Sequence, residues 1–184
     1  MHTNIYFIRH AEVKYTPDDF IRPLTDKGKE DALTLVKVFK EINITKVISS
    51  PYKRAVSTVE PIAKEKHLDI ETIEDFKERK VSDVYIEDFL SFSKQQWEDF
   101  DFCLYNGETL RITQDRGIKA LYQVLRKHKG ENIIIGTHGT ILGVILNYFD
   151  KKYNYDFWFN MKMPDIFRFT FNDEKIECIE NIEI

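Results

Sequence analysis

The segment NIIIGT at 132–137 constrains this chain more than any other. Three consecutive isoleucines leave a strand no face to give to water, and strands of that kind belong in parallel sheets covered on both sides. Helical spacing flanks it. Ile118, Leu121, Tyr122 and Leu125 precede it, with Gly130 as the stop signal, and Leu142, Ile145, Leu146 and Phe149 follow it. The earlier of these helices is expected to begin near Glu108.

The same alternation recurs upstream. Residues 3–9 read as a strand, and 26–42 as a helix with Ala32, Leu35, Val36 and Phe39 on one face and Thr25 as N-cap. Residues 45–49 read as a short buried strand. A helix is expected to open at Pro51 under a Ser50 cap, with Pro61 kinking or splitting it. Two period-2 segments, 166–171 and 176–184, meet at a turn near Asn172–Asp173 and are expected to pair as an antiparallel hairpin. The pattern therefore predicts an α/β fold, a three-layer α/β/α sandwich whose mainly parallel sheet carries an antiparallel edge hairpin.

With 184 residues, 42% hydrophobic and 32% charged, the chain suits one domain over 1–184 with a substantial core. Residues 81–107, dense in Phe, Tyr and Trp, fit the alternation least well. They are expected as an insertion over the site, where they either cap it or fill the core beneath a short helix pair. No apolar run approaches the ~20 residues of a membrane span. The opening residues MHTNIYFIRHAE do not read as a cationic leader followed by a long apolar stretch, so no secretory signal is expected. Cys103 and Cys178 are too few for a disulfide framework, and a cytoplasmic location is expected. A net charge of −4 argues against nonspecific attraction to nucleic acid or anionic membrane. The hairpin edge leaves both monomer and homodimer open.

In open parallel sheets, ligands bind beyond the carboxyl ends of the strands. Three proposed strands run into Arg9-His10, into Ser49-Ser50-Pro51 and then Arg54, and into His138-Gly139. Two imidazoles and two guanidiniums converging on one rim make an anion site. Arg54 in a first helical turn opposes the macrodipole, a conflict that a bound phosphate removes.

These residues carry a family resemblance. FIRHAE (7–12), RPLTDKGKEDA (22–32), VISSPYKRAVST (47–58) and IIIGTHGTIL (133–142) resemble, in order and spacing, the signature elements of the histidine phosphatase superfamily, phosphoglycerate mutase-like branch. FKERKVSD (76–83) resembles the stretch that bears the catalytic acid, and NGETL (106–110) the family's GES element. Here RHAEV stands for the usual RHGET, and KYTPDDF (14–20) replaces the customary tryptophan- and asparagine-bearing stretch.

The resemblance implies that His10 is the nucleophile and Glu78 the general acid. It implies that Arg9, Arg54 and His138 clamp the phosphoryl group, and the bare Cα of Gly139 would let the backbone come close to it. Glu108 is a second-tier residue, placed either beside the nucleophile or as a capping or first-turn helix acid, and Arg116 is expected as a helix-surface or ion-pair residue. Arginines beside both histidines would repel a cation, so no metal and no cofactor are expected. The implied activity is hydrolysis of a small-molecule phosphate ester through a phosphohistidine. Phosphoglycerate mutase-type transfer and noncatalytic phospho-ligand binding are the alternatives.

Overall fold

A computed structural model describes all 184 residues. Strands β1 (His2–Arg9), β2 (Lys46–Ser49), β3 (Ile70–Thr72), β4 (Asn132–Thr137), β5 (Asp165–Asn172) and β6 (Lys175–Ile182) form one sheet in the order β3-β2-β4-β1-β5-β6. The first four are mutually parallel, and β5 and β6 add antiparallel pairs at one edge. β4 lies between β1 and β2, with Ile133, Ile134 and Ile135 all fully buried, as its all-apolar sequence requires.

The helices are α1 (Asp26–Val38), α2 (Lys53–Glu65), α3 (Phe89–Glu98), α4 (Leu110–Lys127), α5 (Gly139–Phe149) and α6 (Tyr155–Asn160). Period-2 alternation along β1 divides the core into two layers. Ile5 and Phe7 join Ile133, Ile135, Phe167 and Phe169 beneath α4 and α5. Tyr6 and Ile8 join Val47 and Ile134 against Leu35 and Phe39 from the α1 side and Val59, Ile62 and Ala63 of α2. Each such side chain, fully withdrawn from water, contributes about 1.5–3 kcal/mol. The expected three-layer α/β/α architecture with its antiparallel edge is the observed one.

Several local expectations are corrected. α1 stops at Val38 instead of residue 42. Its last apolar residues continue inward through tighter bonds from Lys40 N to the Lys37 carbonyl and from Ile42 N to the Phe39 carbonyl. α2 starts at Lys53 with Tyr52 as its N-cap residue, so Ser50 is not its cap. The Ser50 oxygen accepts from Tyr52 N at 3.3 Å, before the helix, and from His138 Nε2 at 2.7 Å. The Lys53 N–H, otherwise an orphan of the helix start, donates instead to the Phe20 carbonyl at 3.0 Å. Pro61 neither splits nor ends α2. Ser57, whose carbonyl loses the missing N–H, is only half-buried, so water can satisfy it. The short edge strand β3, α3 and the six-residue α6 were not foreseen individually. Three residues, or six consecutive mostly aromatic ones, carry no readable period.

Thr25 caps α1 as expected, its hydroxyl oxygen accepting from Gly28 N. Gly28 must be glycine, because a Cβ there would meet the Glu12 carbonyl oxygen at 2.2 Å. This close approach seats the start of α1 directly on the loop after His10. At the other end of α4, Gly130 takes φ 78°, a left-handed conformation that suits its role as a stop.

Candidate active site

His10, Ser50 and His138 follow the carboxyl ends of β1, β2 and β4, which are adjacent in the sheet. The sheet itself therefore brings together residues that are 40 to 128 positions apart. His10 is 7% exposed and His138 fully buried, and their ring centroids lie 5.3 Å apart.

The two imidazoles are held in opposite tautomers. His10 Nδ1 lies 2.8 Å from the Ala11 carbonyl oxygen, which can only accept, so Nδ1 carries the hydrogen and Nε2 keeps its lone pair. His138 Nδ1 receives the Arg54 Nε–H at 3.2 Å, so its hydrogen sits on Nε2 and points to Ser50 Oγ at 2.7 Å. Burial above all pushes His10 down to about 3. The Ala11 carbonyl opposes the shift, and the charges of Arg54, Arg9 and Arg22 add to it. His138 is held well below the usual histidine range by burial first, then by His10 and Arg54. Both rings are neutral at physiological pH.

A stability profile follows from these shifts. The unfolded chain binds protons on these histidines near ~6.5, whereas the folded chain refuses them down to about 3 at His10. Their contribution is complete above the unfolded value and is lost as pH falls from ~6.5 toward 3, with a slope of up to about 1.4 kcal/mol per pH unit for each ring. Denaturant unfolding between pH 7 and 4 checks this. The His10→Asn variant should show a shallower decline than wild type, and parallel profiles would contradict the assignment.

The arginines arrive from different elements. Arg9 ends β1 and donates through Nη1 to the carbonyls of Met161 at 2.5 Å and Lys162 at 3.2 Å, while its Nε is buried without a partner. The bare Cα of Gly139 makes room for this guanidinium, since a Cβ there would lie 3.0 Å from Arg9 Cζ and Nε. In this structure, then, the approach that Gly139 permits is that of Arg9. Arg54 is 4% exposed and uses Nη1 on the Asp19 carbonyl at 2.7 Å and on Asp19 Oδ1 at 3.1 Å. Its guanidinium also lies over the Tyr52 ring, 4.8 Å from the centroid.

Glu78 sits at the start of α5. Its Oε1 accepts from Arg79 N at 2.9 Å and Ile141 N at 3.2 Å, and its Oε2 from Thr140 N at 3.0 Å. One lone pair of Oε2 stays open, enough to carry a proton.

Glu108 makes no hydrogen bond to His10. It forms a two-bond ion pair with Arg116, 2.9 Å from Nε and 3.1 Å from Nη2, and accepts from Lys80 N at 2.7 Å. Burial opposes its charge, but Arg116 and the Lys80 N–H outweigh it and hold the carboxyl below its usual value. Thr109, not Glu108, caps α4. Arg116 also donates to the Asp75 and Lys77 carbonyls at 2.7 and 2.8 Å, so the pair braces the loop that carries Glu78.

Four residues escaped the sequence reading. Ser50 holds His138, and Asp19 bridges Arg54 and Arg22 through contacts of 3.1 and 2.7 Å. Arg79, buried beside Glu78, leaves Nε and Nη1 unpaired. A charge after each motif was visible, but only the fold shows which charges turn inward.

Comparison with known proteins identifies the family and the fold. The family model described as histidine phosphatase superfamily (branch 1) matches residues 5–180. Phosphoglycerate mutase-like protein 4 of Arabidopsis thaliana is 31% identical over 166 residues, covering 82% of this chain and 71% of the relative. A mycobacterial glucosyl-3-phosphoglycerate phosphatase structure superposes with a TM-score of 0.78 at 13% identity, covering 98% and 97% of the two chains. A phosphoglycerate mutase structure from Bacillus anthracis str. Sterne gives 0.79 at 15% identity, covering 98% and 92%. At such identities the structures speak for the fold alone. No helix is long and apolar enough to cross a membrane. With its motifs in order and the family model spanning nearly all its length, the chain belongs to branch 1 of the histidine phosphatase superfamily.

Proposed function

We propose that this chain hydrolyses a small phosphate monoester through a phosphohistidine on His10. The observation that carries this reading is the state of His10: a buried, neutral imidazole with Nδ1 tied to the Ala11 carbonyl, Nε2 bare, and three guanidiniums near enough to act on its charge. In the first step Nε2 attacks phosphorus in line with the ester oxygen, and the P–O bond breaks as Glu78 protonates the departing alkoxide. In the second, Glu78 takes a proton from water, which attacks the phosphohistidine and returns His10 with inorganic phosphate. Dividing the displacement in this way lowers each barrier.

Arg9 and Arg54 neutralise the equatorial oxygens, for which a planar guanidinium is suited. His138 supports them through Ser50: its Nε2–H occupies the serine oxygen, which leaves the Ser50 hydroxyl hydrogen free to reach a phosphoryl oxygen. Gly139 serves by admitting Arg9, and Glu108 by bracing the Glu78 loop.

We read residues 81–107 as the insertion over this site, with two kinds of aromatic. Phe92 is buried, and Trp97 packs against Phe100 and Trp158, so both belong to packing. Tyr85, Phe89 and Tyr105 are exposed and free to meet the substrate's body.

Phosphoglycerate mutase-type transfer is the second reading, favoured by the naming of the Arabidopsis relative. Product analysis separates the two. With an aryl phosphate in excess chelator, hydrolysis releases aryl alcohol and inorganic phosphate in equal amounts, metal-free. Phosphoryl that appears instead on an added phosphoglycerate acceptor would replace the hydrolase reading with the mutase. Activity lost in chelator and restored by a divalent cation would contradict metal independence.

A further inference from the structure

Arg54 is a nearly fully buried cation, and the carboxylate that partners it is already in place. Asp19, whose side chain is 47% exposed, reaches in from the segment 14–20 that departs from the family pattern. It lies 3.1 Å from Arg54 Nη1 through Oδ1 and 3.4 Å from Nη2 through Oδ2. The same Oδ1 lies 2.7 Å from Arg22 Nη1. One half-exposed carboxylate thus joins two guanidiniums, as two oxygens of a phosphoryl group would.

Arg22 has further marks of a site residue. Its side chain is 19% exposed, its Nη2 donates to the Thr16 carbonyl at 3.1 Å, and its Nε is buried with no partner. Its guanidinium lies over the Tyr15 ring at 4.9 Å, which fixes its plane, and its charge bears on His10 together with those of Arg9 and Arg54.

We propose that Arg22 is a third guanidinium of the phosphoryl site, and that Asp19 is a placeholder anion that leaves the Arg22–Arg54 fork when substrate phosphate enters. The proposal rests on the phosphoryl-transfer reading above. A phosphate and the Asp19 carboxylate cannot share that fork without like-charge repulsion in a poorly solvated place. The segment is fixed independently of the carboxylate. The Phe20 carbonyl accepts from Lys53 N, the Phe20 ring packs edge-on against Tyr52 at 5.3 Å, and the Asp19 carbonyl holds Arg54 Nη1 at 2.7 Å. The side chain can therefore swing out to solvent while the backbone stays docked. Between turnovers Asp19 keeps the buried cations paired, and after hydrolysis it competes with the phosphate product for them.

The sign of one substitution separates a placeholder from a brace. Calorimetric titration with inorganic phosphate in a His10→Gln background measures binding without turnover. Asp19→Asn should tighten phosphate binding by about tenfold, because a competing anion is gone, and Arg22→Ala should weaken it by a similar factor. Asp19→Ala, with thermal melting as a check on folding, should tighten it as well. Weaker or unchanged binding in the folded Asp19 variants, or unchanged binding in Arg22→Ala, would overturn the proposal. Wild-type hydrolysis is read separately. Absent turnover with the expected binding pattern sinks the hydrolase reading alone, whereas absence of phosphate binding in all of these proteins contradicts both.

Discussion

Replacing His10 with alanine should lower kcat/KM for an aryl phosphate by about 10⁴-fold or more, the scale on which a covalent nucleophile is lost. No second group can take over. His138, the other imidazole at the site, has its Nδ1 lone pair engaged by Arg54 Nε–H and its Nε2 hydrogen by Ser50, so it presents no lone pair to phosphorus. Binding should persist, because the guanidiniums remain and one desolvated ring has gone. A circular dichroism spectrum and melting curve matching wild type would assign the loss to chemistry. Residual activity above a few percent would mean that the nucleophile lies elsewhere.

The second large effect is expected at Arg54. Arg54→Lys should cost about 10²- to 10³-fold in kcat, comparable to losing a principal electrostatic stabiliser of the transition state. Lysine keeps the charge, but as a single point. It cannot hold His138 Nδ1, the Asp19 carbonyl and the Asp19 carboxylate at once, as Arg54 does through Nε, Nη1 and Nη2. Freed from the Arg54 Nε–H, His138 can exchange tautomers and release Ser50. A change in the imidazole nitrogen shifts of His138 by NMR should accompany the kinetic loss. Full activity in Arg54→Lys would contradict the clamp and show that a point charge suffices.

How much of this was legible in the sequence depended on how local each cause was. The sheet was legible because Ile133, Ile134 and Ile135 permit only burial on both faces, and because β1, β2 and β4 each end in polar residues where a parallel sheet opens. The Thr25 cap and the Gly130 stop were legible because each acts within one turn of its own position. Ser50 was misread for the converse reason. Its local sequence is that of a helix cap, but its hydroxyl is claimed by a histidine 88 positions away, and the helix finds its first acceptor in Phe20.

Asp19 and Glu108 illustrate the same limit. The poor placement of Arg54 at a helix start signalled that an anion should lie there, and the structure supplies one in Asp19, 35 positions earlier. Glu108 stood in a motif near the site, yet its partner Arg116 lies two helical turns further on, and the pair serves the loop of Glu78. Spacing along one helix is readable; the loop that packs against it is not.

The most direct test of a phosphohistidine at His10 is to trap it. Wild-type protein mixed with excess aryl phosphate, quenched in alkaline denaturant within milliseconds and cleaved by trypsin at alkaline pH, should yield the peptide His10–Lys14 carrying one phosphoryl group that is stable to base and lost in acid. Product released with no phosphoryl on this peptide at any quench time, or a phosphoryl group found on a different residue, would contradict the account.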